Sequence, residues 1–548
     1  MNGYVTCRHY HQAMKGSFVI GIIAVASVFS TLTASTSGNA KEGADHAASP
    51  ELSGQPPPLA LPGLPPTSAQ ELRDRVEQLR ARCAPYLRSL PEAFNVRDRM
   101  VLANPWRAKF ELEKAASSSR PEPPAWFRED FDDSDWERVT VPEWRYAAEG
   151  PKRPVSCILW YRTRFAAKPV KPGQRVFVVF AGVDWEAEVW LNGRFVGRHK
   201  VYCEPFRLDV TDTLKGENVL AVRVSAGPRF GEPIAYWAVL PDPPAREQRF
   251  VRDPEQSIAG YQKGSPHLGG GFGIHREVFL ETTGEASLAQ VFARGDLATG
   301  KAEIALETDS IAARQLDLEV LILPENFSGR SYRQAVSSRI PQGAGKQSLS
   351  IPMPAAQLWS PQTPCLYRCR VILRNGDRVV DATDVLFGCR SFGLVSRRNP
   401  HPGLPEGMFL LNAQPIFLRG ANVSPALNLF WYWNQPDKLT EAVLMLKAAN
   451  YNAIRVCQHV SFPEVRELLD RLGVMSEQDQ GGGRNGNTPE ALAELAHAGT
   501  ALARVCYNNP GVVLLSVANE SVSAAKAPAI WASTLPPART IRRTFWRR

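Results

Sequence analysis

Residues 452–477 read NAIRVCQHVSFPEVRELLDRLGVMSE. A short apolar run predicts a strand at Asn452–Cys457, and apolar residues at helical spacing predict a helix at Pro463–Leu472. A second apolar run predicts another strand at Gly473–Glu477. A strand, a helix and a strand in this order typically form a unit with two parallel strands and a helical crossover. The stretch therefore predicts an α/β domain.

The same alternation continues on both sides of this unit. A strand at Pro415–Gly420 and an amphipathic helix at Asp437–Ala449 are predicted before it, and a helix at Pro489–Tyr507 and a strand at Val512–Val517 after it. A closed (β/α)8 barrel needs about 250 residues. Only about 140 of the 548 residues follow Gly407. We expect residues 407–548 to form the N-terminal half of a TIM barrel, with four strands.

Two all-β segments precede the α/β domain. In residues 104–283, alternating apolar runs flank the pair Asn192-Gly193, which is a strong hairpin signal because both turn residues need positive φ. This segment predicts a β-sandwich. Residues 284–392 contain further strands at a spacing typical of an immunoglobulin-like β-sandwich. The predicted fold class is multidomain β plus α/β.

The first hundred residues show an export pattern and then a linker. Arg8 and Lys15 precede the apolar stretch Phe18–Leu32, and small residues follow. This pattern predicts a signal peptide at residues 1–40 and a secreted or periplasmic protein. The alternative is an uncleaved anchor helix, although 15 residues are short for a span of about 20. Residues 41–103 are interpreted as linker and helix, with Ser68 and Glu71 as a capping box.

The charge pattern argues against a nucleic-acid partner. The chain has 64 basic and 55 acidic residues, a formal charge of +9, and the charges are interspersed. The exception is Arg539–Arg548, which contains five arginines. Two interpretations of this cluster are a contact with nucleic acid or membrane and a disordered or abnormal tail, and we favour the tail. After signal cleavage we expect no stable membrane insertion, and the sequence leaves the oligomeric state undetermined.

The nine cysteines do not predict a zinc site, because none lies in a C-x-x-C pair and no paired histidine spacing accompanies them. Cys365 and Cys369 lie four residues apart on a predicted strand, which puts them on one face. Disulfides and buried free thiols both remain open.

Several short sequence segments, in order along residues 130–520, resemble those of glycoside hydrolase family 2. This family is the group of β-galactosidases, β-glucuronidases and β-mannosidases. The segments are Phe131–Trp136, Trp160–Arg162, Val189–Gly193, Gly273–Leu280, Leu358–Pro361, Phe387–Arg390, Phe409–Asn412, Phe417–Asn422, Asn452–Arg455 and Asn519–Glu520.

The resemblance implies a jelly-roll-like sugar-binding domain, an immunoglobulin-like sandwich and a TIM-barrel catalytic domain. It implies a glycosidase, galactosidase-like, that hydrolyses O-glycosyl bonds of β-linked carbohydrates. No cofactor is expected. Some relatives bind Mg or Na ions, but no ligand set can be assigned in this sequence.

Retaining hydrolysis of a glycoside needs two carboxyl groups about 5 Å apart. Glu520 comes just after the strand predicted at Val512–Val517, and barrel enzymes place catalytic groups at the carboxyl ends of strands. The resemblance implies a general acid/base role for Glu520 and a sugar-hydroxyl contact for Asn519. Without the resemblance, Glu520 would be interpreted as a solvated strand-end residue.

Other candidate substrate-binding residues also lie at predicted strand ends. They are Arg455, Asp479, Asn422 and His459, with Glu477 next to them. A buried Arg455 would need a carboxylate or a substrate as its partner. For each residue a structural role and a substrate contact both remain open. Gln458 stands where many family members have His, which puts the local sugar contact in doubt.

The lack of a residue for the nucleophile is the largest departure from the family pattern. Only 28 residues follow Glu520, and Ala524–Arg548 contains no acidic residue, whereas the family's nucleophile belongs on a later barrel strand. We therefore expect impaired catalysis and a truncated or frame-shifted chain. A natural short form that recruits the missing half from another chain is the alternative.

A second functional hypothesis is a non-catalytic carbohydrate-binding or scaffold protein, with Trp185 or Trp237 stacking on sugar rings. A hydrolase that uses a Ser or Cys nucleophile is not supported, because the sequence has no Gly-x-Ser-x-Gly elbow.

Overall fold

The computed structural model describes residues 23–24, 56–59, 64–90, 96–102, 105–111, 122–143, 148–149, 154–156, 158–225, 273–423, 426–456, 459–479 and 489–516. Asn519, Glu520 and Trp237 lie outside the described residues, as do the arginine-rich end and nearly all of the predicted signal peptide. A two-residue strand, β1 (Ile23–Ala24), pairs antiparallel with Leu514 and Leu515. Helix α1 spans Ala69–Cys83.

The first β domain contains a six-stranded antiparallel sheet, in the order β10-β9-β12-β7-β3-β4, and a four-stranded one, β11-β8-β13-β2. A short 3₁₀ helix, Ala125–Phe127, precedes β4, and β5 and β6 form a separate pair. The strands are Asp98–Val101 (β2), Trp106–Phe110 (β3), Glu137–Val139 (β4), Ala148–Glu149 (β5), Pro154–Ser156 (β6), Ile158–Ala166 (β7), Arg175–Phe180 (β8), Glu186–Leu191 (β9), Arg194–Lys200 (β10), Phe206–Asp209 (β11), Glu217–Ser225 (β12) and Val278–Thr283 (β13).

The two sheets of this domain enclose one apolar core, which confirms the predicted β-sandwich. The alternating residues Val176, Val178 and Phe180 of β8 are all buried in it. The predicted hairpin is present between β9 and β10, where Asn192 has φ 51° and Gly193 has φ 78°. Strand β2 pairs with β13, so Asp98–Val101 form part of the four-stranded sheet.

The second β domain is the predicted immunoglobulin-like sandwich, with sheets β14-β15-β18 and β17-β16-β19-β20. Buried residues alternate with more exposed ones along β15, as expected for a strand with one face in the core. The strands are Ala286–Asp296 (β14), Lys301–Ser310 (β15), Arg314–Pro324 (β16), Tyr332–Ile340 (β17), Gly343–Pro352 (β18), Tyr367–Asn375 (β19) and Arg378–Phe387 (β20).

A small antiparallel sheet leads into the third domain, where four strands pair in parallel and alternate with helices. This is the start of a TIM barrel, and the described residues form no closed barrel. The small sheet consists of Phe392–Leu394 (β21), Phe409–Leu411 (β22) and Gln414–Ile416 (β23). The α/β elements are Gly420–Val423 (β24), Ala426–Tyr432 (α2), Pro436–Ala448 (α3), Ala453–Val456 (β25), Pro463–Arg471 (α4), Met475–Asp479 (β26), Pro489–Cys506 (α5) and Val512–Ser516 (β27).

Two strand predictions in this domain need correction. The strand predicted at Pro415–Gly420 is two strands in different sheets, β23 and β24. The bend between them is held where the Arg419 N–H donates to Asn452 Oδ1 at 2.8 Å. The strand predicted at Gly473–Glu477 begins later, at Met475, because Gly473 has φ 65° and forms a turn. The strand also ends two residues later than predicted, so Asp479 lies within β26 rather than after it.

Helix α1 packs against the barrel helices rather than standing apart. Its buried residues Val76, Leu79 and Cys83 share a core with Val443 and Leu444 of α3. The Ser68 hydroxyl accepts the Glu71 N–H at 3.1 Å, as a capping residue does. The Glu71 carboxylate accepts from Thr67 instead of Ser68, so the predicted reciprocal box is only half formed.

Candidate active site

The candidate site lies at the carboxyl edge of the parallel sheet, where predicted residues from neighbouring strands come side by side. Asn422 of β24 is in register with Arg455 of β25, and Arg455 with Glu477 of β26. Asp479 is in register with Ser516 at the end of β27. The parallel register thus assembles these five polar residues at the edge where barrel folds place their catalytic groups.

Arg455 joins the two acidic residues of β26. Its Nη2 donates to Asp479 Oδ2, and its Nε lies 3.2 Å from Glu477 Oε1. The Asp479 side chain is 0% exposed, while that of Arg455 is 24% exposed. The carboxylate partners expected for Arg455 are therefore present within the protein. An arginine held between two carboxylates offers both donors and acceptors to the vicinal hydroxyls of a sugar.

The pKa of the Glu477 carboxyl is raised above its ordinary value. Burial raises the pKa of its carboxyl, Arg455 opposes that rise, and Asp479 adds to it. A carboxyl group with a raised pKa retains its proton further toward neutral pH, which suits hydrogen-bond donation to a sugar oxygen.

The loop after β25, residues 459–462, is called the site loop here and is fixed by buried side chains from three elements. Tyr202 of the first β domain accepts the Val460 N–H at 3.1 Å. Asn428 of α2 accepts the Phe462 N–H at 2.8 Å, and Gln478 of β26 accepts the Ser461 N–H at 2.8 Å. The site loop is thus held in one conformation by side chains rather than by strand pairing.

The first β domain makes further contacts with this part of the barrel. The imidazole of His275 stacks on Phe462 with ring centroids 6.1 Å apart. Arg276 donates from Nη1 to Glu464 Oε2 at 3.0 Å, at the start of α4, and lies over the Phe462 ring. The first β domain therefore helps to shape the site.

The predicted site residues differ in their access to solvent. Asn422 is exposed, Arg455 is half-buried, and Asp479 and His459 are buried. The His459 carbonyl accepts the Asp479 N–H at 3.3 Å. Asn519 and Glu520 lie outside the described residues; in the sequence they follow the end of β27 at Ser516.

Sequence reasoning missed the residues that hold the site loop. Tyr202 lies 258 residues before its partner, so no local pattern could have indicated it. Gln478 had a signal, because it alternates with Glu477 and Asp479 on the same strand and so faces the opposite side. Trp185, a candidate for sugar stacking, is only 5% exposed and packs near Tyr202, so it belongs to the core.

The described residues contain no group of three or more His, Cys, Asp or Glu side chains arranged to hold a metal ion. Their six cysteines, Cys365 and Cys369 included, are free thiols. No helix in the described part of the chain has the length and apolar character needed to cross a membrane.

Three family models match the chain in the order of its domains. The galactose-binding domain-like model of glycosyl hydrolase 2 matches residues 156–259, and the glycosyl hydrolases family 2 model matches residues 286–390. The TIM barrel domain model of the same family matches residues 403–542. The chain belongs to glycoside hydrolase family 2.

Relatives within this family include glycosidases of two specificities. A β-galactosidase of Leuconostoc mesenteroides is 24% identical over 381 residues, which cover 67% of this chain and 33% of that protein. A family 2 member from Bacteroides cellulosilyticus has a TM-score of 0.55 at 21% identity, covering 78% of this chain and 52% of that chain. The β-glucuronidase 2 of Bacteroides uniformis, covalently bound to cyclophellitol-6-carboxylate aziridine, has a TM-score of 0.56 at 19% identity, covering 79% and 48%.

The chain spans only part of the length of these relatives. The matched segment covers between 33% and 43% of the length of curated relatives such as this β-galactosidase. It covers 52% and 48% of the length of the two solved chains. The structural likeness establishes the shared fold.

Proposed function

We propose that this family 2 protein acts on β-linked O-glycosides, of the β-galactoside or β-glucuronide class, by the retaining two-carboxylate mechanism. Glu520 is the general acid/base in this proposal, and Asn519 contacts a sugar hydroxyl. Arg455, Asp479 and Asn422 bind the sugar at the carboxyl edge of the sheet. The observation that carries the proposal is the Arg455–Asp479–Glu477 group, assembled where the barrel fold places catalytic chemistry.

The mechanism needs a proton donor for the leaving oxygen and a second carboxylate that attacks the anomeric carbon. Glu520 follows the fourth strand, which is the position that the first role requires. Residues 521–548 contain no Asp or Glu. The second carboxylate of the mechanism therefore has to come from outside residues 521–548.

The test is the hydrolysis of nitrophenyl β-glycosides by the full chain and by its Glu520→Gln variant. The panel should include β-galactoside, β-glucuronide and β-mannoside. General acid/base catalysis contributes about 10²- to 10⁴-fold, so a turnover that falls by this factor in Glu520→Gln supports the proposal. Glu441→Gln is the matched control, because Glu441 is exposed on α3 and should leave turnover unchanged.

Two outcomes would count against the proposed mechanism. Equal turnover in wild type and Glu520→Gln would remove Glu520 from the reaction. No turnover in either protein would favour carbohydrate binding without catalysis.

We propose that the chain is exported, with residues 1–40 acting as the signal peptide. The basic residues before Phe18–Leu32 and the small residues after it support this proposal. N-terminal sequencing of protein recovered outside the cytoplasm should begin near residue 41. A mature protein that starts at Met1 would contradict it.

A further inference from the structure

A cavity of about 490 Å³ lies where the three domains meet. The first β domain lines it with Tyr202–Arg207, and the second with Gln290 and Glu307. The barrel contributes Val460–Pro463 and Arg466. The cavity therefore lies behind the site loop, on the side that faces the two β domains.

The carboxylates that line this cavity are already engaged. Glu281 accepts from Arg97 Nη1 at 3.0 Å, and Glu204 accepts from Arg504 Nε at 3.0 Å. Both oxygens of Glu307 accept from Arg504, each at 2.9 Å. These ion pairs offset the negative charge of the three carboxylates.

Two donor groups that line the cavity have no hydrogen-bond partner within the described residues. Arg207 Nη1 is buried and has no hydrogen-bond partner among the described residues, and its distance to Glu281 Oε2 is 4.0 Å. Ser461 is 2% exposed, and its hydroxyl likewise has no partner in the described part of the chain. Burial lowers the pKa of Arg207, and Arg97 adds to this effect, as expected for an incompletely compensated cation.

Arg466 adds a second guanidinium, and its hydrogen bonds within the described residues all go to neutral acceptors. The residue is 4% exposed. Nε donates to Asn509 Oδ1 at 3.0 Å, Nη2 to the Val505 carbonyl at 3.0 Å, and Nη1 to the Ser461 carbonyl. A guanidinium has five N–H donors, so two of them remain after these three bonds.

Buried cations and unsatisfied buried donors are unfavourable unless a partner compensates them. The partner that fits two guanidinium groups and a hydroxyl is an oxyanion, because it supplies negative charge and several acceptor oxygens. We propose that this cavity binds a small oxyanion, a phosphate or carboxylate group, with Arg207, Arg466 and Ser461 as its donors.

The position of this site has a consequence for the active site. An oxyanion bonded to Ser461 would contact the site loop from behind and connect it to Arg207 of the first β domain. Occupancy should therefore stabilise the site loop as well as the junction of the domains. The size of the cavity leaves room for a molecule larger than phosphate alone.

The test uses inorganic phosphate and sulfate as probes and isothermal titration of the full chain at constant ionic strength, with chloride as the balancing salt. We expect saturable binding of one ion per chain. Affinity should fall at least about tenfold in Arg207→Gln and in Ser461→Ala, because each removes a donor to a charged ligand. Arg198→Gln, an exposed arginine of β10 that does not line the cavity, is the control and should bind as wild type does.

Absence of saturable binding to wild type would overturn the proposal, and so would equal affinity in wild type and the two cavity variants. If Arg207→Gln does not fold, the affinity of Ser461→Ala decides the test, because this variant removes only one hydroxyl and should still fold. The titration involves no glycoside turnover, so its result is independent of the proposed hydrolase activity.

Discussion

The two ends of the parallel sheet both bury charged side chains, but in different surroundings. At the amino end, Asp470 accepts from Asn509 Nδ2 at 2.6 Å and from the Gly511 N–H at 2.7 Å, deep in the junction with the second β domain. Arg390 of that domain donates there to two backbone carbonyls. At the carboxyl end, Arg455 is half-buried and joins the side chains of Glu477 and Asp479.

We propose that this difference separates polar groups that hold the fold from polar groups that bind a ligand. Backbone groups that bond Asp470 and Arg390 are part of the fold, so these contacts fix the barrel against the second β domain. At the carboxyl end, the contacts of Arg455 join side chain to side chain, and the Arg455 side chain is 24% exposed. Asn509 donates to Asp470 at the amino end and so belongs to the fold.

We expect the largest effect to be a loss of stability when the hydrogen bonds of Asp470 at the amino end of the parallel sheet are removed. Asp470→Ala leaves the Gly511 N–H and the Asn509 amide without their buried acceptor, which should lower the free energy of unfolding by roughly 3 kcal/mol. Urea unfolding followed by tryptophan fluorescence measures it. Asp377→Ala, at an exposed turn, is the control and should change stability by less than about 0.5 kcal/mol. Equal effects of the two changes would contradict the structural role of Asp470.

A second prediction concerns pH at the same residue. Burial raises the pKa of Asp470 to about 7 in the folded protein, against about 3.9 for an unfolded Asp. Between these values the folded state binds more protons than the unfolded state, so this residue makes stability fall as pH rises from about 4 to about 7.

Urea midpoints measured across this pH range should fall in wild type and change less in Asp470→Asn, which cannot titrate. The Asn variant should start from a lower midpoint, because its NH₂ group faces donors. The same pH slope in both proteins would show that Asp470 does not titrate in this range.

A substitution at the carboxyl end of the sheet should have the opposite result. It should lower the affinity for sugar and change the stability little. Arg455→Lys retains a positive charge but cannot bridge Glu477 and Asp479 with one planar fork. We expect affinity for a non-hydrolysable thio-β-galactoside or thio-β-glucuronide to fall about tenfold. Arg374→Lys, whose Arg also pairs with a carboxylate in the second β domain, is the control. A large stability loss with unchanged affinity would make Arg455 a structural residue.

The sequence allowed the architecture and part of the site to be predicted, because both depend on local patterns. Strand and helix alternation predicted the parallel sheet. A buried Arg455 was expected to need a carboxylate or a substrate, and the structure supplies two carboxylates. The seven-residue helix α2 was missed because Ala426–Tyr432 is too short and too apolar to show a period. The start of β26 was misplaced because Gly473 adopts a left-handed conformation that the apolar run conceals.

The contacts between domains could not be predicted. Tyr202 meets Val460, and Arg504 meets Glu204 and Glu307, across hundreds of residues of sequence. Such pairs depend on how complete domains pack, and no spacing along the chain encodes them. The cavity behind the site loop could not be predicted either, since all three domains contribute residues to its lining.

Hydrogen exchange with and without a saturating thio-β-glycoside tests most directly whether the ligand binds at the carboxyl end. We predict slower amide exchange in peptides spanning 453–462 and 475–479, and unchanged exchange in peptides spanning 466–474 and 505–512. Protection confined to the amino-end peptides, or no protection at any peptide, would contradict a sugar site at the carboxyl end.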